Sequence, residues 1–228
     1  MTNEEKIKIF EEYLEMIEIE PIKEFTKYCI VNFPDYFFTL KASTGDKYHG
    51  KDEALTDHIL GMCWLGVRVK KQFEKIWTNK QGDCLFLAII AHDAWRCTNP
   101  DGSLEIFTQE KINKHNLPQE LLGNFKTTRS HPETAALNLL RLGTEFNKKR
   151  AKESKNQMAI KDLNNIIGAV RSHSGPWTLN KRDVKFSLEY PFSNISIQLH
   201  NLDYQQTINA EYWTRYKPEQ DKLKKGKL

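Results

Sequence analysis

Long apolar runs are missing from this 228-residue sequence: none approaches the roughly 18 residues that a membrane-spanning helix needs, and no membrane segment is expected. Cysteine is sparse as well. Cys29, Cys63, Cys84 and Cys97 form no CxxC pair, and three of them lie in apolar sequence, so they read as reduced core thiols of a cytoplasmic protein. Neither sign of charge dominates. The net charge is +4, much of it from lysines in 222–227, too small to argue for nucleic-acid binding and no obstacle to an anionic substrate. The opening residues from Met1 to Lys6 are polar and acidic rather than signal-like. No internal repeat and no convincing strand pattern is found.

What is present is an ordinary globular balance, 39% hydrophobic and 28% charged residues, in a chain long enough to bury a substantial core. Ile7, Phe10, Leu14 and Ile17 predict a helix over 3–18, and Pro21 opens a second with Phe25 and Cys29 on one face, stopped near Pro34. The aromatic-rich stretch 36–50, with its Gly, Ser and Asp, reads as a loop packed onto something. A long helix is predicted over 52–77, where Leu55, Met62, Leu65 and Val69 share a stripe with His58. Further helices are expected from near Asp83, over 108–114 and 118–128, from His131, over 159–173 and from Pro191. Residues 97–107 form a turn-rich loop, and the charged run 148–155 reads as a solvated helix end. The expected fold is all-α. In it, 1–35 supplies N-terminal helices packed on a main domain over 36–215, and 216–228 is a flexible basic tail.

One stretch organises the rest: Leu85-Phe86-Leu87-Ala88-Ile89-Ile90-Ala91-His92-Asp93, an apolar run ending in an adjacent imidazole and carboxylate. Buried charges are rare unless paired or metal-bound, so this pair has to be satisfied inside the protein. Similar polar interruptions recur at His58, His131, His173 and Asp203, each on or beside the apolar stripe of its own predicted helix. A single such His is usually a hydrogen-bonded core residue, and a single such Asp a cap or an ion-pair partner. Their joint occurrence is harder to explain that way. Imidazole and carboxylate together suit Mn, Fe, Zn, Ni or Mg, and six ligands exceed what one ion usually takes from protein. A bridging Asp93 can join two ions about 3.5–4 Å apart.

Taken in order, His58, His92-Asp93, His131, His173 and Asp203 give the pattern H…HD…H…H…D, which resembles the HD-domain superfamily of metal-dependent phosphohydrolases. The local words agree. Lys47-Tyr48-His49-Gly50 followed by Glu53-Ala54-Leu55-Thr56-Asp57-His58 is similar to an entry segment of some members. Ser172-His173-Ser174-Gly175-Pro176-Trp177, Tyr190-Pro191 and Leu199-His200-Asn201-Leu202-Asp203 look like the second half of the HD domain of 3′-to-5′ exoribonucleases. The resemblance covers about 36–207. Ser174 departs from the His-His found in many members, and Arg96 stands where many carry the lysine of HDxxK.

The resemblance implies a helical bundle around a buried centre of divalent ions, two by its pattern. His58, His92, Asp93 and Asp203 would hold one, and His131, His173 and bridging Asp93 the other. It also implies attack of a metal-activated water on the phosphorus of a nucleotide, a cyclic nucleotide or a single-stranded nucleic-acid end. Asp93, Arg96 and Lys47 are then the catalytic candidates, with Arg96 and Lys47 on the phosphate. His49 and Trp177, with Arg96, are the substrate contacts. Glu133 and His200 are candidates for holding ligands from behind, against plainer readings as a helix-dipole acid and a packed or capping residue. Tyr48, Trp95 and Trp177 either stack nucleobases or cover the core around the metals. The same six ligands occur in HD-fold mixed-valent diiron oxygenases, which are the alternative, and a metal-bearing regulatory protein is the third reading.

Overall fold

Local signals fix where the helices begin. Thr2 with Glu5, and Thr78 with Gln81, close reciprocal capping boxes at two helix starts. Pro21 and Pro132 occupy first turns, where a missing N–H costs nothing. The computed structural model describes residues 1–42, 54–73, 78–128, 130–173 and 193–208. Among these lie nine α-helices: α1 (Asn3–Ile9), α2 (Glu11–Leu14), α3 (Glu20–Val31), α4 (Leu55–Phe73), α5 (Asn79–Ala91), α6 (Gln109–His115), α7 (His131–Lys152), α8 (Ile160–Arg171) and α9 (Asn194–Ile208). Two 3-10 turns, Asp35–Phe38 and Gln119–Leu121, complete the set. The described residues contain three isolated antiparallel bridges and no sheet, so the fold is all-α. None of the described helices is long and apolar enough to cross a membrane.

Two helices differ from their sequence pattern. The first is broken at Phe10 (φ −108°, ψ 8°), whose fully buried ring packs 6.3 Å from that of Phe37. Burying that ring turns the chain between α1 and α2. The helix expected over 118–128 is reduced to the 3-10 turn, because Gly123 takes φ +78° and Phe125 then pairs with Ile106 in an antiparallel bridge. Elsewhere only boundaries move: α5 begins at Asn79 and α9 at Asn194.

Helix α5 is the axis of the fold. It is buried at every position from Gly82 to Ala91, as a helix apolar all round must be. Helices α3, α4, α8 and α9 pack around it, α9 also touches α4 and α8, and α7 lies against α8 and α3. The core runs without interruption from Phe10, Phe25 and Phe37 through Phe86 and Ile89 to Leu163, Ile166 and Leu199. The N-terminal helices therefore share one core with the rest. Phe37 meets Phe33 and Phe38 edge-on, the packing expected of the aromatic loop. Trp95 stands edge-on to Phe33 at 5.3 Å and is buried, so it covers core. All four cysteines are buried free thiols.

Candidate metal centre

The chain places its chemistry at helix ends. His58 lies in the first turn of α4, His92 closes α5, and Asp93 and Arg96 follow in the turn beyond it. His131 opens α7, His173 lies just past the end of α8, and Asp203 projects from the body of α9. These ends meet at one place. His58 Nε2 is 3.2 Å from Asp203 Oδ1, and His92 Nε2 is 4.0 Å from the same oxygen and 3.7 Å from Asp93 Oδ2. Asp93 Oδ1 lies 3.3 Å from His131 Nε2 and 3.6 Å from His173 Nε2, and those two nitrogens are 3.3 Å apart. All six candidate ligands thus form one cluster. Within it, His58, His92 and Asp203, and again His92, Asp93 and His173, bring their donor atoms within 4.8 Å of one another.

Hydrogen bonding fixes which imidazole nitrogens face inward. Nδ1 of His92 donates to Ile89 O at 2.8 Å, Nδ1 of His131 to Thr128 O at 2.8 Å and Nδ1 of His173 to Val170 O at 2.6 Å. Each acceptor is the carbonyl three residues back. With Nδ1 carrying the proton, each Nε2 presents a lone pair, the tautomer that ligates a metal. Nε2 of His131 and Nε2 of His173 face each other at 3.3 Å, close enough to share a proton or a cation. His92 Nε2 and Asp93 Oδ1 are buried and make no hydrogen bond among the described residues, a costly arrangement for a site meant to hold nothing. Donors about 2.1 Å from a shared ion lie about 3.0–3.4 Å apart along the edges of an octahedron or tetrahedron. Separations of 3.2 and 3.3 Å match those edges. The residues fit a divalent metal.

Electrostatics point the same way. Burial holds His92 and His131 neutral down to about 4, against the partial opposition of Asp93. Burial also works against the charged form of Asp93, yet Arg96, then His92, hold its carboxyl well below the usual range. Asp203 is lowered too, by His58 and His92 acting against burial. Burial disfavours protonating His173, but Asp93 with Asp203 behind it outweighs burial and raises its proton affinity. Two of the imidazoles, His92 and His131, stay neutral and both carboxylates ionised, so the cluster could hold a cation.

The remaining candidates divide. Arg96 contacts the scaffold: Nη1 pairs with Asp93 Oδ2 at 3.1 Å and donates to Ala42 O at 2.5 Å, while Nε donates to Thr127 Oγ1 at 3.0 Å. Glu133 is exposed and reaches Arg171 at 3.5 Å, so it holds no ligand, and the carbonyl of Thr128 orients His131 instead. Nδ1 of His200 donates to the main-chain carbonyl of His173 at 2.7 Å, a contact with the backbone of that residue rather than with its ring. Lys47, Tyr48, His49 and Trp177 lie outside the described residues. The orienting carbonyls of Ile89, Thr128 and Val170 escaped the sequence, as did Thr127. Main-chain acceptors leave no side-chain signature, and Thr127 gives no sign of its role before the turn after α5 is known. Comparison with protein-family models, curated proteins and solved structures finds no match for this chain.

Proposed function

We propose that the chain is a metal-dependent phosphohydrolase or phosphodiesterase of HD type, acting on a nucleotide, a cyclic nucleotide or a single-stranded nucleic-acid end. The observation that carries the reading is the convergence of four imidazoles and two carboxylates from five helices, with the buried His92 Nε2 and Asp93 Oδ1 at its middle making no hydrogen bond among the described residues. His58, His92, Asp93 and Asp203 would hold one ion, and His131, His173 and shared Asp93 a second. Bound there, divalent ions supply a water acidic enough to act as nucleophile near neutral pH and neutralise charge growing on phosphoryl oxygens. The chain's own part is to keep His92 and His131 neutral, hold His92, His131 and His173 by their Nδ1–H groups, and keep both carboxylates ionised.

The engagement of Arg96 with Asp93 removes one residue that favoured phosphate as the substrate. On that observation the diiron oxygenase of the same ligand order is the second reading. Hydrolysis of bis-p-nitrophenyl phosphate with added Mn²⁺, for wild type beside Asp93→Ala, tests the first. Metal-dependent release that disappears in the variant supports it. Absence of release from a metal-loaded, folded wild type, joined to iron-dependent oxygen consumption, would transfer the chain to the second reading.

A further inference from the structure

Arg96 is the natural phosphate ligand in the sequence, but its geometry gives it another task. Its Nη1 faces Asp93 Oδ2 at 3.1 Å, on the opposite oxygen of the carboxylate from the one that lies 3.3 Å from His131 and 3.6 Å from His173. The same guanidinium is fixed on other sides by Ala42 O at 2.5 Å and Thr127 Oγ1 at 3.0 Å. The main chain adds a further tie: Thr128 N–H donates to Arg96 O at 2.9 Å, and the carbonyl of Thr128 accepts the Nδ1–H of His131 at 2.8 Å. Side chain and backbone of one residue therefore reach both Asp93 and the segment that aims His131.

We infer that Arg96 is a positioning residue for the metal centre: it clamps Asp93 Oδ2, the oxygen nearer His92, and, through Thr127 and Thr128, sets the direction of the His131 ring. The inference rests on the metal reading above and departs from a phosphate-binding role. An arginine suits the task where a lysine does not, because its planar fork satisfies acceptors in several directions at once, whereas an ammonium is a point charge on a flexible stem. Held on one oxygen, the carboxylate cannot rotate, and its other oxygen stays turned toward His131 and His173.

The two roles separate in a solution without phosphate. Free Mn²⁺ is counted by its electron paramagnetic resonance signal while wild type, Arg96→Gln, Arg96→Lys and Thr127→Val are titrated in phosphate-free buffer. A positioning role predicts Mn²⁺ binding weakened by about 10–100-fold in Arg96→Gln, as for other residues that orient metal ligands. Arg96→Lys should recover part of that loss, and Thr127→Val should show a smaller loss, with the guanidinium charge intact. Arg96→Gln that folds by circular dichroism and binds Mn²⁺ like wild type, while KM for a phosphodiester rises, would overturn the inference and return Arg96 to the substrate. If Arg96→Gln does not fold, Arg96→Lys and Thr127→Val decide the matter, and wild-type affinity in both overturns the role. A folded wild type that takes up no Mn²⁺ would overturn the metal reading itself and this role with it.

Discussion

Two buried aspartates show the difference between a satisfied structural charge and a candidate ligand. Asp83 Oδ2 accepts the main-chain N–H groups of Glu18 and Ile19 at 3.0 and 2.8 Å, and its Oδ1 faces Lys70 Nζ at 3.1 Å. Every lone pair that matters is used, and the result ties the start of α3 to α4 and α5. Asp93 Oδ1, by contrast, has imidazole nitrogens in front of it and no hydrogen bond among the described residues. Asp83→Ala leaves two main-chain N–H groups without their acceptor and removes one of three acceptors around Lys70 Nζ, and is expected to destabilise the fold by about 3 kcal/mol. Urea denaturation checks this, and a loss under about 1 kcal/mol would contradict it. Alkali offers a second test at this scale. Burial raises Cys84 from 9.0 to about 12 and, despite the hydroxyl of Thr98, raises Tyr36 from 10.0 to about 12. Both groups ionise first in the unfolded chain, which then holds fewer protons than the folded one. Stability should be full below about pH 9 and fall as pH rises toward about 12, as thermal melts across that window would show.

Helix ends carry most of the site, and the helices' close approaches set where those ends lie. At Gly143, a Cβ would fall 2.6 Å from Leu163 Cδ2, so the Leu163 side chain of α8 packs directly on the α7 backbone and would have to shift to admit one. Gly143→Ala should gain about 1 kcal/mol in helix propensity but lose about 1–3 kcal/mol to overpacking. The expected net effect is a modest destabilisation, seen as a lower urea midpoint with an unchanged slope; a stabilised protein would refute the close-packing argument. These elements were largely legible. Apolar spacing revealed the helices, and its interruption by His58, His92, His131, His173 and Asp203 marked the residues that now meet. What periodicity could not show is long-range competition. Phe10 leaves its helix to fill the core, Gly123 diverts an expected helix into a bridge, and Glu133 faces solvent and Arg171 rather than His131. The attachment of Arg96 to Ala42 and Thr127, 54 and 31 residues away, is equally invisible to local pattern.

For the molecule as a whole, the cluster joins α4, α7, α8 and α9 to the end of α5 and could hold a cation. An ion that binds only the folded state stabilises it by mass action, about 2.7 kcal/mol at a hundredfold excess over Kd. For a chain of this length that is a rise in Tm of roughly 5–10 °C over chelator-treated protein, and coincident melts with and without metal would speak against a folded-state site. The most direct measurement is the metal content of the purified protein after loading and exhaustive dialysis, for wild type beside His92→Ala. His92 is a ligand of the first proposed ion and also closes the second compact group of donors, so its loss should remove the first ion and loosen the second. The account predicts at least one tightly held divalent ion per wild-type chain and a clearly lower content in a folded His92→Ala. Wild type that returns metal-free from dialysis, or a His92→Ala that keeps its full complement, would contradict it.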